Sequence, residues 1–220
     1  MIDKSIIIAK ILDTSVIAII RSNTSKGLDS AAKAVVEGGI RALEFTMNTP
    51  DAARLIAGTR ELFGEKIVVG AGTVRNQYSA KEAISAGAQF IITPGLSMGV
   101  MELAFEAGIA IIPGVLTPTE VQIAMENSVD LLKIFPASLG GPGYIRALLG
   151  PYSDARMVAT GGVNVQNAGE YIRAGAKAVA VGGKLFDKEV IKEGKFEHLT
   201  KVASQLIEEV SKAKKDSRND

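Results

Sequence analysis

Apolar and polar positions fall into short alternating blocks along the whole chain. Ile7, Ile8, Ile11 and Leu12 share one side of a helical wheel, so residues 3–12 predict a short amphipathic helix. Compact apolar runs then recur at intervals, each too short for a helix and each followed by a helix-patterned segment. Strands are predicted over 16–20, 42–46, 67–71, 90–93, 110–112, 131–135, 157–159 and 178–181. Helices are predicted over 25–37, 50–63, 76–86, 97–107, 118–127, 144–149, 165–174 and 195–213. Strict alternation of strands and helices implies right-handed crossovers and a parallel sheet. Eight such units in roughly 200 residues fit a (β/α)8 TIM barrel with an N-terminal helix better than an open doubly wound sheet. The expectation is one domain over 1–220, with a barrel core at 14–186, a C-terminal helix at 195–213 and a frayed charged tail at 214–220.

Each end of the predicted strands has its own chemistry. Gly38-Gly39, Gly87, Gly108 and Gly175 each stand between a helix and the next strand, where a left-handed residue turns the chain back. Asn127 holds the matching place before the sixth strand, and asparagine is the usual substitute there. These positions are structural. At the opposite ends the strands finish in Arg21, Thr46, Gly72-Thr73, Thr93-Pro94, Pro113-Gly114, Phe135-Pro136, Thr160-Gly161-Gly162 and Gly182-Gly183. In a barrel that face carries the active site.

Two charges lie inside strands. Leu131-Leu132-Lys133-Ile134-Phe135-Pro136 is an apolar run with a lysine at its centre. Desolvation disfavours the ammonium, and a neutral amine is a nucleophile toward carbonyl carbon that forms Schiff bases. The alternative is a lysine whose stem packs while its head reaches water. Glu44 lies in Ala42-Leu43-Glu44-Phe45-Thr46. Alternation puts it with Ala42 and Thr46 on the inner face and leaves Leu43 and Phe45 to meet helices. Burial would raise its pKa toward the acid–base range. A structural Glu44–Lys133 ion pair across the interior is the competing reading, though lone buried pairs are costly to assemble.

Gly161-Gly162 and Gly182-Gly183 end the last two strands, where many barrels bind phosphate through backbone N–H groups. Lys184 either adds charge to that site or sits in solvent. Thr73 brings a hydroxyl to the mouth or caps the following helix. Arg21 meets an anion or pairs with a rim carboxylate. Pro94 and Phe135 are candidate apolar walls.

Composition removes several rivals. The chain has no cysteine and a single histidine, His198, far along in the polar C-terminal region. That excludes a thiolate or His-rich metal centre and a Ser-His-Asp triad in the body of the fold, and no cofactor is implied. A net charge of +1 without a basic block points to neither nucleic acid nor membrane. Asp3, Lys4, Lys10 and Asp13 interrupt the N-terminal isoleucines, so neither a signal peptide nor a membrane span is read there, and a cytoplasmic location is expected.

The segments ALEFTMNTPDA, VVGAGTV, AQFIITPGL, AIIPGVLTPTE, LLKIFPAS and VATGGVN, in that order, carry a resemblance. Together they resemble the 2-keto-3-deoxy-6-phosphogluconate aldolase / 4-hydroxy-2-oxoglutarate aldolase family, class I aldolases on a (β/α)8 barrel. The similarity runs from about Val16 to Phe186. It implies that Lys133 forms a Schiff base with the 2-keto carbon of a small 2-keto acid, and that Glu44 moves protons through water. It implies further that Thr73, Pro94 and Phe135 line the pocket, that Thr160, Gly161, Gly162, Gly182 and Gly183 form the phosphate end, and that the protein is a homotrimer. Asn48 stands where many members carry a carboxylate-binding arginine, while the galactonate-type branch resembles this chain at that position, and Lys184 stands where some bacterial members have serine. Gluconate, galactonate and hydroxyoxoglutarate substrates all stay open on this reading, and a phosphosugar isomerase or epimerase barrel is the alternative from another class.

Overall fold

The computed structural model describes residues 3–183 and 185–216, with Lys188 by its backbone alone. Lys184 and residues 217–220 lie outside the described residues. In chain order the elements are α1 (Lys4–Thr14), β1 (Val16–Ile20), α2 (Leu28–Glu37), β2 (Ala42–Thr46), α3 (Ala52–Phe63), β3 (Val68–Gly72), α4 (Gln77–Ser85), β4 (Phe90–Ile92) and α5 (Met98–Glu106). There follow β5 (Ala110–Ile112), β6 (Gly114–Val115), α6 (Pro118–Glu126), β7 (Leu132–Ile134), α7 (Gly141–Leu149), β8 (Met157–Thr160), α8 (Ala168–Arg173), β9 (Ala178–Val181), α9 (Lys188–Lys192) and α10 (Phe196–Asp216).

All pairings are parallel, in the order β5-β4-β3-β2-β1-β9-β8-β7-β6. The two ends of that order are consecutive in the chain. β5 and β6 are halves of one strand interrupted at Pro113, so the chain itself closes the barrel. Proline has no N–H to give to a ladder. Just beyond it the Gly114 N–H goes to the Thr93 hydroxyl at 3.3 Å, while Pro113 O accepts from Lys133 N at 2.9 Å. The expected fifth strand, 110–112, is therefore only the first half of the observed one.

The barrel interior is a layer of inward side chains, among them Ile17, Ile19, Ala42, Val68, Phe90, Ile112, Leu131, Val158 and Ala180. Ile7, Ile8 and Ile11 of α1 belong to the same cluster, so α1 plugs the N-terminal end of the barrel. Each fully buried isoleucine there contributes about 1.5–3 kcal/mol by transfer. Asp3 starts α1 by accepting from Ser5 N at 2.9 Å. Leu43, Phe45, Leu132 and Ile134 face outward into the helix-covered core. The period-2 reading of β2 and β7 thus holds, and it fixes Glu44 and Lys133 on the inner face.

Gly39, Gly87, Gly108 and Gly175 take positive φ, as expected of helix-ending turns. Asn127 does not. It sits at φ −89°, and Ser128 takes the left-handed conformation at φ 55°. The Asn127 side chain returns to Ile123 O at 2.8 Å, which satisfies the helix end and moves the turn one residue on. The last helix is longer than predicted. Leu199, Ala203, Leu206, Val210 and Ala213 form its buried stripe, and Lys214 Nζ donates to Leu12 O and Asp13 O at 2.8 and 2.9 Å. Residues 214–216 are therefore helical where fraying was expected. No described helix is long and apolar enough to cross a membrane.

Candidate active site

Glu44 rises from β2 toward the C-terminal end of the barrel and is 1% exposed. Its neighbour β3 makes room for it. The register sets Glu44 beside Gly70 and Thr46 beside Gly72, and a Cβ on Gly72 would overlap the Glu44 carboxyl group. Glu44 Oε2 is buried with no hydrogen-bond partner in the protein. Burial pushes the carboxyl pKa up to about 7, against the opposing pull of Lys133 and Arg21.

Lys133 sits at the centre of β7, paired with Gly114 on one side and Val158 on the other, and is 4% exposed. Glycine at 114 is dictated by the backbone of Pro94, against which a Cβ there would collide. Burial holds the Lys133 amine below its ordinary pKa; Arg21 pushes the same way and Glu44 opposes. Its Nζ stands 4.7 Å from the Phe135 ring centroid. Among the described residues no ion pair within 4.0 Å joins Lys133 to Glu44, so the interior salt bridge that competed with a functional reading is not formed. A buried amine that loses its charge readily is a nucleophile at carbonyl carbon. A carboxyl group titrating near neutrality both takes and gives protons.

Lys133 opens onto a cavity of about 640 Å³. Arg21, Phe135, Thr160, Gly161, Gly162, Gly182 and Gly183 line it with Lys133. Gly161 and Gly162 are left-handed at φ 93° and 80°, and a Cβ on Gly162 would lie 2.7 Å from Ser138 Cβ. The Gly182 carbonyl accepts from Leu185 N and Phe186 N at 2.7 and 2.9 Å, closing a tight turn after β9. Thr160 is buried and donates to Val158 O at 3.4 Å. Arg21 is exposed on the cavity wall and meets no carboxylate within 4.0 Å among the described residues, so the rim pairing is not made.

Four sequence candidates stand outside this lining: Glu44, Asn48, Thr73 and Pro94. Glu44 is behind it, close enough to feel Lys133 and Arg21. Asn48 is exposed in the turn after β2, and Pro94 is half-buried. Thr73 is not a helix cap. Asn76 caps α4, its side chain accepting from Ser79 N at 2.9 Å, while Thr73 is held at φ 53°. A β-branched residue in that region is a genuine outlier. Lys184 lies outside the described residues.

Ile19, Val163, Ala180, Phe186 and Asp187 also line the cavity and were not singled out in the sequence. Alternation marks Ile19 and Ala180 as inward, but nothing in the pattern marks Phe186 or Asp187. Asp187 Oδ1 accepts from Glu189 N at 2.8 Å and so starts α9, a helix the hydrophobic pattern did not predict. Among the described residues no group of three or more His, Cys, Asp or Glu side chains is placed to hold a metal ion.

A parallel barrel whose C-terminal mouth holds a buried amine, a buried carboxyl and a glycine-walled cavity is built as a barrel enzyme. The chain belongs to the KDPG and KHG aldolase family, whose model matches residues 7–202, and it is thus a lyase. It is 37% identical to the 2-dehydro-3-deoxy-phosphogluconate aldolase of Treponema pallidum over 80% of this chain and 84% of that one. It is 36% identical to the KHG/KDPG aldolase of Escherichia coli over 80% and 83%. The solved KDPG aldolase of Legionella pneumophila, described with pyruvate captured as a covalent carbinolamine intermediate, superposes with a TM-score of 0.78 at 28% identity, covering 86% of this chain and 93% of that one.

Proposed function

We propose that this protein is a metal-independent class I aldolase that cleaves 2-dehydro-3-deoxy-6-phosphogluconate to pyruvate and glyceraldehyde 3-phosphate, and 4-hydroxy-2-oxoglutarate to pyruvate and glyoxylate. The observation that supports this reading is that Lys133 and Glu44 share the inner face, both buried and not ion-paired with each other, with Lys133 on the cavity wall and Glu44 behind it. Lys133 Nζ adds to the C2 carbonyl, water leaves, and a protonated imine forms. Glu44, directly or through water, takes the proton of the C4 hydroxyl. The C3–C4 bond then breaks, its electron pair passing into the imine to give an enamine, and the aldehyde departs. Reprotonation at C3 and hydrolysis release pyruvate and restore the amine.

Among the described residues Arg21 shares the cavity wall with Lys133, both Lys133 and Glu44 respond to its charge, and it suits the C1 carboxylate next to the reacting carbon. The turns at Gly161-Gly162 and Gly182-Gly183 suit the phosphate, with Thr160 beside them. Phe135 walls the pocket, Thr73 and Pro94 border it, and Asn48 takes the position where an arginine would otherwise meet a carboxylate. Relatives named for the gluconate and hydroxyoxoglutarate substrates favour these over the galactonate epimer. An isomerase has no use for a lysine in this strand, and membership of an aldolase family replaces that alternative. A cytoplasmic homotrimer fits the family resemblance, the lack of cysteine, and the exposed Tyr78, Met98 and Phe105 on α4 and α5.

Pyruvate release, coupled to NADH oxidation, tests the activity on each substrate with and without a chelator. Turnover on the phosphorylated gluconate that survives chelation is expected. No turnover on any of the three substrates, or turnover abolished by the chelator, would overturn the reading.

A further inference from the structure

The Arg21 side chain is exposed, so its own packing does not hold it. What places it is the backbone it starts from, and two buried threonines of another strand and turn grip that backbone on both sides. Ser22 N, immediately after Arg21, donates to Thr49 Oγ1 at 3.3 Å. Thr49 Oγ1 lies 2.9 Å from Thr46 Oγ1, and Thr46 Oγ1 donates to Ile20 O, immediately before Arg21, at 3.5 Å. The backbone N–H can only donate, so the Thr49 hydroxyl accepts it and is left free to donate to Thr46. Thr46 in turn is free to donate to Ile20. One consistent direction runs through the chain, and each buried hydroxyl has a use. Thr46 is fully buried and Thr49 is 3% exposed.

We infer that Thr46 and Thr49 are positioning residues that set Arg21 for the carboxylate of the 2-keto acid. The inference rests on the proposed role of Arg21 as the carboxylate partner. Packing alone would be served equally well by valine, which has the same shape and lacks the hydroxyl. The hydroxyls are needed only where the Ile20 carbonyl and the Ser22 amide must be held at fixed points. They also join the end of β1, which Arg21 directly follows, to β2, which carries Glu44. The cation that would grip the carboxylate and the carboxyl that would move the proton are thereby fixed in one frame.

The test is steady-state kinetics on 2-dehydro-3-deoxy-6-phosphogluconate for the wild type, Thr49→Val, Thr49→Ser, Arg21→Gln and the Arg21→Gln/Thr49→Val double variant. Thr49→Val is expected to raise KM about tenfold with kcat within about twofold, because a misplaced carboxylate partner costs binding in ground and transition states alike. Thr49→Ser keeps the hydroxyl and is expected to restore KM to within about twofold. In the Arg21→Gln background Thr49→Val should add nothing, the signature of two residues acting through one contact. If Thr49→Val fails to fold, Thr46→Val reads the other half of the clamp in the same way. A raised KM in Arg21→Gln with a normal KM in Thr49→Val would overturn the clamp and leave the role of Arg21 standing. Additive effects in the double variant would assign Thr49 to packing and also overturn it. An unchanged KM in Arg21→Gln would remove the role of Arg21 and the clamp together.

Discussion

Gly72 owes its missing side chain to Glu44. The two lie on adjacent strands, and a methyl group on residue 72 would occupy the space of the Glu44 carboxyl. A carboxyl buried in a barrel interior needs volume, and β3 supplies it with glycines at two of its inward positions, 70 and 72, with Val68 inward below them. Gly70 does the same for Phe90, whose ring would lie 2.5 Å from a Cβ there. Gly72→Ala is therefore expected to displace Glu44. Overpacking of this kind costs about 1–3 kcal/mol, and kcat should fall about a hundredfold. Thermal unfolding and turnover measured together check it; a normal kcat in the variant would mean that the position of Glu44 does not matter.

Glu44 also predicts a pH dependence of stability. Burial raises its pKa from 4.5 to about 7, so between those values the native protein keeps a proton that the unfolded chain has released. Stability is thus fully present below about pH 4.5 and falls as pH rises toward 7, by up to roughly 3 kcal/mol for this group alone. Glu44→Gln removes the titration. The variant should match the wild type near pH 4.5 and be the more stable at pH 8, while kcat drops about 10²–10⁴-fold. Urea unfolding across pH 4.5–8 reads the gap; one that does not grow with pH would contradict it.

Lys133 carries the opposite sign. Burial lowers its pKa, so from that lowered value up to 10.5 the unfolded chain binds a proton that the native amine has lost. Its contribution to stability therefore improves as pH rises toward 10.5 and is least favourable at lower pH. Lys133→Met keeps the volume and removes the cost of the charge. At pH 7 the variant should be inactive and about 1–3 kcal/mol more stable by urea unfolding, a trade between stability and activity. A destabilised Lys133→Met would show that the lysine serves the fold.

The backbone of Thr73 is held at φ 53°, and its helix-capping role is filled by Asn76. Strain of this kind costs about 1–3 kcal/mol, and glycine adopts the conformation freely. Thr73→Gly is expected to keep or slightly raise the melting temperature while raising KM for the 2-keto acid. A lower melting temperature with unchanged KM would return Thr73 to a structural role.

Much of this was legible in the chain because it rests on local periodicity. The inward direction of Glu44 and Lys133 follows from alternation in Ala42–Thr46 and around Leu132–Ile134, and the structure keeps both on the inner face. The left-handed turns at Gly39, Gly87, Gly108 and Gly175 follow from glycine alone. What was not legible depends on partners far along the chain. Gly114–Val115 reads as a loop after Pro113, and only pairing with Lys133 and Ile134 makes it a strand. Thr49 looks like any turn residue until Ser22, 27 positions away, donates to it. α9 rests on the Asp187 cap and carries little apolar pattern, so hydrophobic spacing passes over it. The last helix outran its expected end because Lys214 finds the carbonyls at the end of α1, a contact across 202 residues.

The central claim is that Lys133 is the nucleophile, and trapping tests it most directly. Incubation with pyruvate and sodium borohydride, proteolysis and mass spectrometry should locate one reduced pyruvate adduct, on the peptide carrying Lys133, with loss of activity in step with labelling. No adduct, or an adduct on another lysine with Lys133 unmodified, would contradict the Schiff-base mechanism.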